Sequence, residues 1–229
     1  MFDIQPNLRD LEKSIIAYEQ EPIEKGKILF YGHSLFTRWG HPKWGYRRMD
    51  EDIRMKDGSL AVVNHGFGTS TSEELLYYYD RMVRPWEPRA LVIATRGNDG
   101  MYGYSPEETM ANVAKICQWA RVDFPGIRIF LFEPHPTPKG KAATIKDIWN
   151  NGKNEREKYA EMVRIYCDTH EDATMIPMWN RPEFYETPED VGNFRKVRED
   201  IYYTDKVHFN QEGYDIFGRI CREALDELL

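Results

Sequence analysis

The feature that most constrains the fold of this chain is an alternation between two hydrophobic periods. Five short stretches, Lys27–Tyr31, Leu60–Val63, Leu91–Ala94, Ile127–Phe132 and Ala173–Met178, are apolar on nearly every successive residue. Such runs suit strands buried on both faces of a sheet. Between and around them, Asn7–Gln20, Ser70–Val83, Ser105–Phe124, Asn154–His170 and Gln211–Leu229 carry apolar residues at helical spacing. Ser105-Pro106-Glu107-Glu108 is a strong helix start, with a capping hydroxyl, proline in the first turn and acids at the positive end of the dipole. Alternating strands and helices predict an α/β fold, a parallel sheet of about five strands with helices on both faces.

No repeat or Gly/Ser-rich linker interrupts this order, and 229 residues fit one domain, spanning 1–229, with residues 1–26 as a leading helical segment packed on it. Asn180–Ile201, rich in charge and proline, reads as a loop with a short helix near the site. A formal charge of −7 without a long basic run argues against a nucleic-acid partner. The three cysteines are widely spaced and form none of the close pairs that bind zinc. The first residues have neither a basic nor an apolar leader region, and no apolar run reaches the roughly 20 residues of a membrane span. The expectation is a cytoplasmic protein that does not insert into membranes.

In an open parallel sheet, ligands gather beyond the carboxyl ends of the strands. That rule selects four loops: Gly32-His33-Ser34, Asn64 to Thr69, Arg96-Gly97-Asn98-Asp99, and Asp205-Lys206-Val207-His208. A hydrolytic serine needs a base, an orienting acid and donors for the oxyanion formed on attack. Ser34 follows a strand and opens a helix, so its hydroxyl is exposed and its N–H faces the positive helix end. Asp205 and His208, three residues apart, form a second pair that one turn can join. Asn98 offers a side-chain N–H from the opposite wall. Each element alone has a plainer explanation as a cap or a turn; four together, each after a strand and in a workable order, point to catalysis.

The strings Phe30-Tyr31-Gly32-His33-Ser34-Leu35, Asn64 to Thr71, Gly97-Asn98-Asp99 and Asp205 to Tyr214 together resemble the SGNH/GDSL hydrolase superfamily. The rarest is His208-Phe209-Asn210 followed by Gly213. The resemblance implies a three-layer α/β/α sandwich of flavodoxin-like type. It also implies ester hydrolysis without a metal or other cofactor, with Ser34 as nucleophile, His208 as base and Asp205 as orienting acid. The oxyanion donors are then the N–H groups of Ser34 and of Gly68 or Thr69, with the Asn98 side chain. Two positions depart from the family pattern: His33 stands where Asp is usual, and Thr69 where a second glycine is usual. A threonine there keeps the N–H donor, provided that it need not adopt positive φ.

His33, Trp39, Phe67 and Tyr102 are the expected substrate contacts, and a small-molecule ester is the expected partner. Short acyl groups are favoured, acetyl on a carbohydrate first, because no long apolar lid segment stands out. A lipid or lysophospholipid acylhydrolase, and a non-catalytic domain binding a carbohydrate or small ligand on the same scaffold, are the alternatives. A dinucleotide loop at Gly66-x-Gly68 lacks its third glycine, and Gly-x-Ser-x-Gly fails at Phe36. His33, His41, His65 and His135 lack the close spacing of a metal site.

Overall fold

A computed structural model describes residues 5–138 and 155–229. The chain opens with helix α1 (Gln5–Glu19), followed by β1 (Ile28–Gly32), the single turns α2 (Ser34–Thr37) and α3 (Met49–Asp52), β2 (Val62–Gly66) and α4 (Ser72–Met82). It continues through β3 (Ala90–Ala94), α5 (Pro106–Asp123), β4 (Arg128–Phe132), α6 (Glu155–Asp168), β5 (Ala173–Ile176) and α7 (Gln211–Leu225). All strand pairings are parallel, in the order β2-β1-β3-β4-β5. This is the flavodoxin-like order, whose switch point lies between β1 and β3. The loops carrying Ser34 and Asn98 leave the sheet there.

Successive residues of each central strand feed opposite cores. Phe30, Val92, Phe130 and Phe132 pack with α7, chiefly Tyr214, Phe217 and Ile220. Leu29, Tyr31, Leu91, Ile93, Ile129 and Leu131 pack with α1, α4, α5 and α6. Burial on both faces is why the strands read as continuous apolar runs. Capping boxes open α4, through Thr71 and Glu74, and α5, through Ser105 and Glu108 with Pro106 in the first turn.

Several expected boundaries shift. The second strand runs from Val62 to Gly66 rather than from Leu60 to Val63. Leu60 instead makes an isolated antiparallel bridge with Arg54, and Asn64, His65 and Gly66 pair with Phe30, Tyr31 and Gly32. An edge strand tolerates Asn64 because the side chain satisfies itself, donating to the Phe36 carbonyl at 2.9 Å and accepting from the Gly66 N–H at 3.0 Å. The fifth strand stops at Ile176, before Pro177. The last helix ends at Leu225, followed by a 3-10 turn over Asp226–Leu228. Residue 154, the expected start of the fourth long helix, lies outside the described residues.

The segment expected as a loop with one short helix holds three 3-10 turns, Pro182–Phe184, Pro188–Asp190 and Phe194–Lys196, closed by a bridge between Tyr185 and Val197. Phe184 and Ile201 are fully buried, so this segment completes the core beneath Phe209. Among the described residues no helix is long and apolar enough to cross a membrane.

Candidate active site

Ser34 follows β1 and begins a helix, as expected, and that helix is a single turn, Ser34–Thr37. One local and one distant hydrogen bond hold the turn. His33 is its N-cap, and its Nδ1 accepts the Leu35 N–H at 3.3 Å. Tyr214 on α7 donates its hydroxyl to the Leu35 carbonyl at 2.9 Å. Behind the serine, a Cβ at Gly32 would meet the Ala94 carbonyl oxygen at 2.7 Å, and one at Gly66 would collide with the Thr37 N–H. Only glycine permits the end of β1 to lie so close to the end of β3, and the end of β2 so close to α2.

The late loop brings His208 to this serine. Ser34 Oγ and His208 Nε2 are 2.7 Å apart, and His208 Nδ1 and Asp205 Oδ2 are 3.0 Å apart. Because an ionised carboxylate only accepts, Nδ1 carries the ring proton and Nε2 is left to accept from the serine hydroxyl. Asp205 Oδ1 accepts the N–H groups of Val207 and His208, each at 3.0 Å, and Oδ2 also accepts from Arg38 Nη1 at 2.7 Å. Burial raises the Asp205 pKa, but the two backbone donors, Arg38 and His208 outweigh it and hold the group well below its ordinary value. His208 is lowered, by burial first and then by Arg38, against the opposing pull of Asp205.

The string Asn210-x-x-Gly213 explains how this loop is anchored. Asn210 caps α7, accepting from the Gly213 N–H at 3.1 Å, while its own N–H donates to the Ile201 carbonyl at 3.1 Å. A Cβ at position 213 would run into that same carbonyl. His135, after β4, bonds through Nε2 to the Val207 carbonyl at 3.2 Å, and Tyr203 donates its N–H to the His208 carbonyl at 2.7 Å.

On the other side, Phe67 N–H donates to the Gly32 carbonyl at 2.9 Å and Ser70 N–H to the Phe67 carbonyl at 3.4 Å. The N–H groups of Gly68 and Thr69, between these anchors, have no backbone acceptor among the described residues. Thr69 adopts φ of 65°, so the condition under which threonine would replace glycine without strain is not met. Arg96 and Lys206, in two of the neighbouring loops, also have positive φ, of 79° and 57°. Asn98 donates its side-chain amide to the Ser70 carbonyl at 2.8 Å, and the amide carries a second hydrogen. Asp99 is fully buried; it accepts from the Ser72 N–H at 2.9 Å and the Arg96 N–H at 3.1 Å, which ties this loop to the start of α4.

The expected substrate contacts are placed less uniformly. Trp39 is buried against Phe30, Tyr214 and Phe217, and Phe67 is buried against Tyr31 and Tyr78. Both belong to the cores, because the turns that carry them fold back onto the sheet. His33 is buried as the α2 cap beside Gly97, and its pKa falls from 6.5 to about 4 through burial and the neighbouring His208. Tyr102 stays on the rim, 42% exposed, in a 3-10 turn just after Asn98. Arg38 was not among the expected site residues. Its signal is a lone cation four positions after Ser34, which nothing local distinguishes from a surface charge.

No curated protein sequence matches the chain. Solved structures of the same fold include a platelet activating factor candidate from Streptococcus pneumonia, at 16% identity and a TM-score of 0.70, covering 97% of this chain and 94% of that one. A GDSL-like lipase from Bacteroides thetaiotaomicron is similar at 18% identity and a TM-score of 0.68, with 97% and 98% covered. An acetyl xylan esterase is similar at 17% identity and a TM-score of 0.65, with 87% and 99% covered. The profile of the GDSL-like Lipase/Acylhydrolase family matches residues 30–216, from β1 through the first turns of α7 and across all four loops of the site, so the chain belongs to that family.

Proposed function

We propose that the protein is a serine ester hydrolase working through an acyl-enzyme, with short acyl groups as substrates and acetyl on a carbohydrate as the first choice. The observation that carries the reading is the hydrogen-bonded series from Ser34 Oγ to His208 Nε2 and from His208 Nδ1 to Asp205 Oδ2, at 2.7 and 3.0 Å. Ser34 Oγ attacks the ester carbonyl while His208 takes its proton. The tetrahedral oxyanion is held by the N–H of Ser34, that of Gly68 or Thr69, and the Asn98 amide. Collapse breaks the ester C–O bond, and His208 returns the proton to the departing alcohol. Water then attacks the acyl-enzyme by the same route and releases the acid and free Ser34. Membership of an acylhydrolase family and the occurrence of an acetyl xylan esterase on this fold support the choice.

Purified protein and its Ser34→Ala variant, offered p-nitrophenyl acetate and then acetylated sugars, test the reading. Release by the wild type alone is expected; equal background release from both would sink it. A longer acyl chain is the second reading, favoured by Met101 and Tyr102, 62% and 42% exposed at the end of the 3-10 turn that follows Asn98. A p-nitrophenyl ester series separates the two, since kcat/KM falling steadily beyond the acetyl and propionyl esters excludes the longer chain.

A further inference from the structure

Arg38 lies just past α2, the turn that presents the nucleophile, yet its guanidinium reaches the loop of the base. Its Nη1 donates to Asp205 Oδ2 at 2.7 Å, the same oxygen that faces His208 Nδ1 at 3.0 Å. The guanidinium is caged: its central carbon lies 4.7 Å from the Trp44 ring centre and 5.9 Å from that of Tyr203, and its side chain is one-fifth exposed. Tyr203 in turn bonds the His208 carbonyl. We propose that Arg38 is a positioning residue of the ester-hydrolysis site, locking the nucleophile's turn to the base's loop and dividing the Asp205 charge between two donors.

The consequence concerns His208. An unshared carboxylate beside an imidazole raises its basicity, so the ring becomes protonated and idle at mildly acid pH. Here the groups facing the ring offer little other negative charge. They are Asp205 on its own loop, Arg38 beyond α2, the buried imidazole of His33 at the α2 cap, and His135 after β4. Tyr46 acts on Asp205 from the segment between α2 and α3, and its phenol is raised by burial, so it stays neutral. Arg38 therefore keeps the base free over a wider range toward acid, and it couples the two halves of the site across the fold.

The inference rests on the proposed function, so its test includes a measurement independent of turnover. The His208 imidazole is titrated by NMR in the wild type, Arg38→Gln, Arg38→Lys and Arg38→Met, with His208→Asn assigning the resonance among the six histidines. Removing the charge is expected to raise the midpoint by about half a unit to one unit, the part of a close-pair effect that survives partial exposure. The acid limb of kcat/KM should move by the same amount, and Arg38→Lys should restore most of it. Arg38→Met keeps the stem against Trp44 should the Gln variant fold poorly. An unchanged midpoint in folded charge-neutral variants overturns the proposal. A shifted midpoint in a protein without esterase turnover supports the positioning role while overturning the function.

Discussion

The side-chain amide of Asn98 donates to the carbonyl of Ser70 at 2.8 Å, so the loop after β3 orients itself on the loop after β2. One amide hydrogen is fixed in that bond and the other is turned by it. If the second hydrogen meets the oxyanion, Asn98→Ala should lower kcat by about 10²–10³ with little change in KM. Steady-state kinetics on p-nitrophenyl acetate check this, and a loss confined to KM would assign Asn98 to ground-state binding instead.

Thr69 at φ 65° is a β-branched residue in the left-handed region, where such strain costs about 1–3 kcal/mol. Thr69→Gly removes the strain at some cost in unfolded-state entropy and leaves the N–H donor in place. The variant should melt at a higher temperature, by up to about 1 kcal/mol of stability, and keep wild-type kcat. Calorimetry with parallel kinetics decides the matter: a lower Tm contradicts the strain, and a large loss of kcat shows that the threonine side chain itself takes part.

Asp205 fixes the tautomer of His208 through Oδ2. In Asp205→Asn the amide can present a donor to Nδ1 and select the wrong tautomer, so kcat should fall by about 10⁴ while the fold is retained. Kinetics alongside circular dichroism test this; activity within tenfold of the wild type contradicts the role given to Asp205.

His65 is fully buried, with Nδ1 donating to the Met82 carbonyl at 2.7 Å, and burial lowers its pKa from 6.5 to about 4; His33 is lowered similarly. Both return to about 6.5 on unfolding, so between pH 4 and 6.5 the unfolded chain binds more protons. Their contribution is therefore present above pH 6.5 and lost as the pH falls toward 4, about 3 kcal/mol for His65 alone. Urea unfolding at pH 7 and pH 4.5 measures it. Equal free energies at both would show that these imidazoles are not neutral and buried.

Gly213 has no room for a Cβ between the Ile201 carbonyl and the Phe209 ring, whose Cδ1 would lie 2.8 Å away. Gly213→Ala should cost about 1–3 kcal/mol and also displace His208, the neighbour of Phe209. A drop in Tm together with lower kcat is expected. Full activity at 25 °C would mean that the His208 loop is held without this contact.

Much of this was readable from the chain itself. Near-continuous apolar runs at 27–31, 91–94 and 127–132 mark strands buried twice over, because burial on both faces writes itself into adjacent residues. Ser105 and Pro106 mark a helix start for equally local reasons. The second strand was misplaced because its polar residues, Asn64 and His65, are satisfied by tertiary partners, Phe36 and Met82, that no local pattern announces. Trp39 and Phe67 stood beside the site in sequence and still went to the cores, since the direction of a side chain leaving a tight turn depends on what packs beneath it.

The sequence by itself therefore determined the layered α/β fold, the loops in which chemistry collects and the identities of Ser34, Asn98, Asp205 and His208 as the residues to watch. Only the tertiary structure decided how they are tuned: the positive φ of Thr69, the hold of Ser70 on Asn98, and the contact between Arg38 and Asp205 across 167 positions of chain. Periodicity and capping act over a few residues and are written locally. Hydrogen bonds between loops depend on where the sheet order sets the strand ends, and that order exists only once the whole chain has packed.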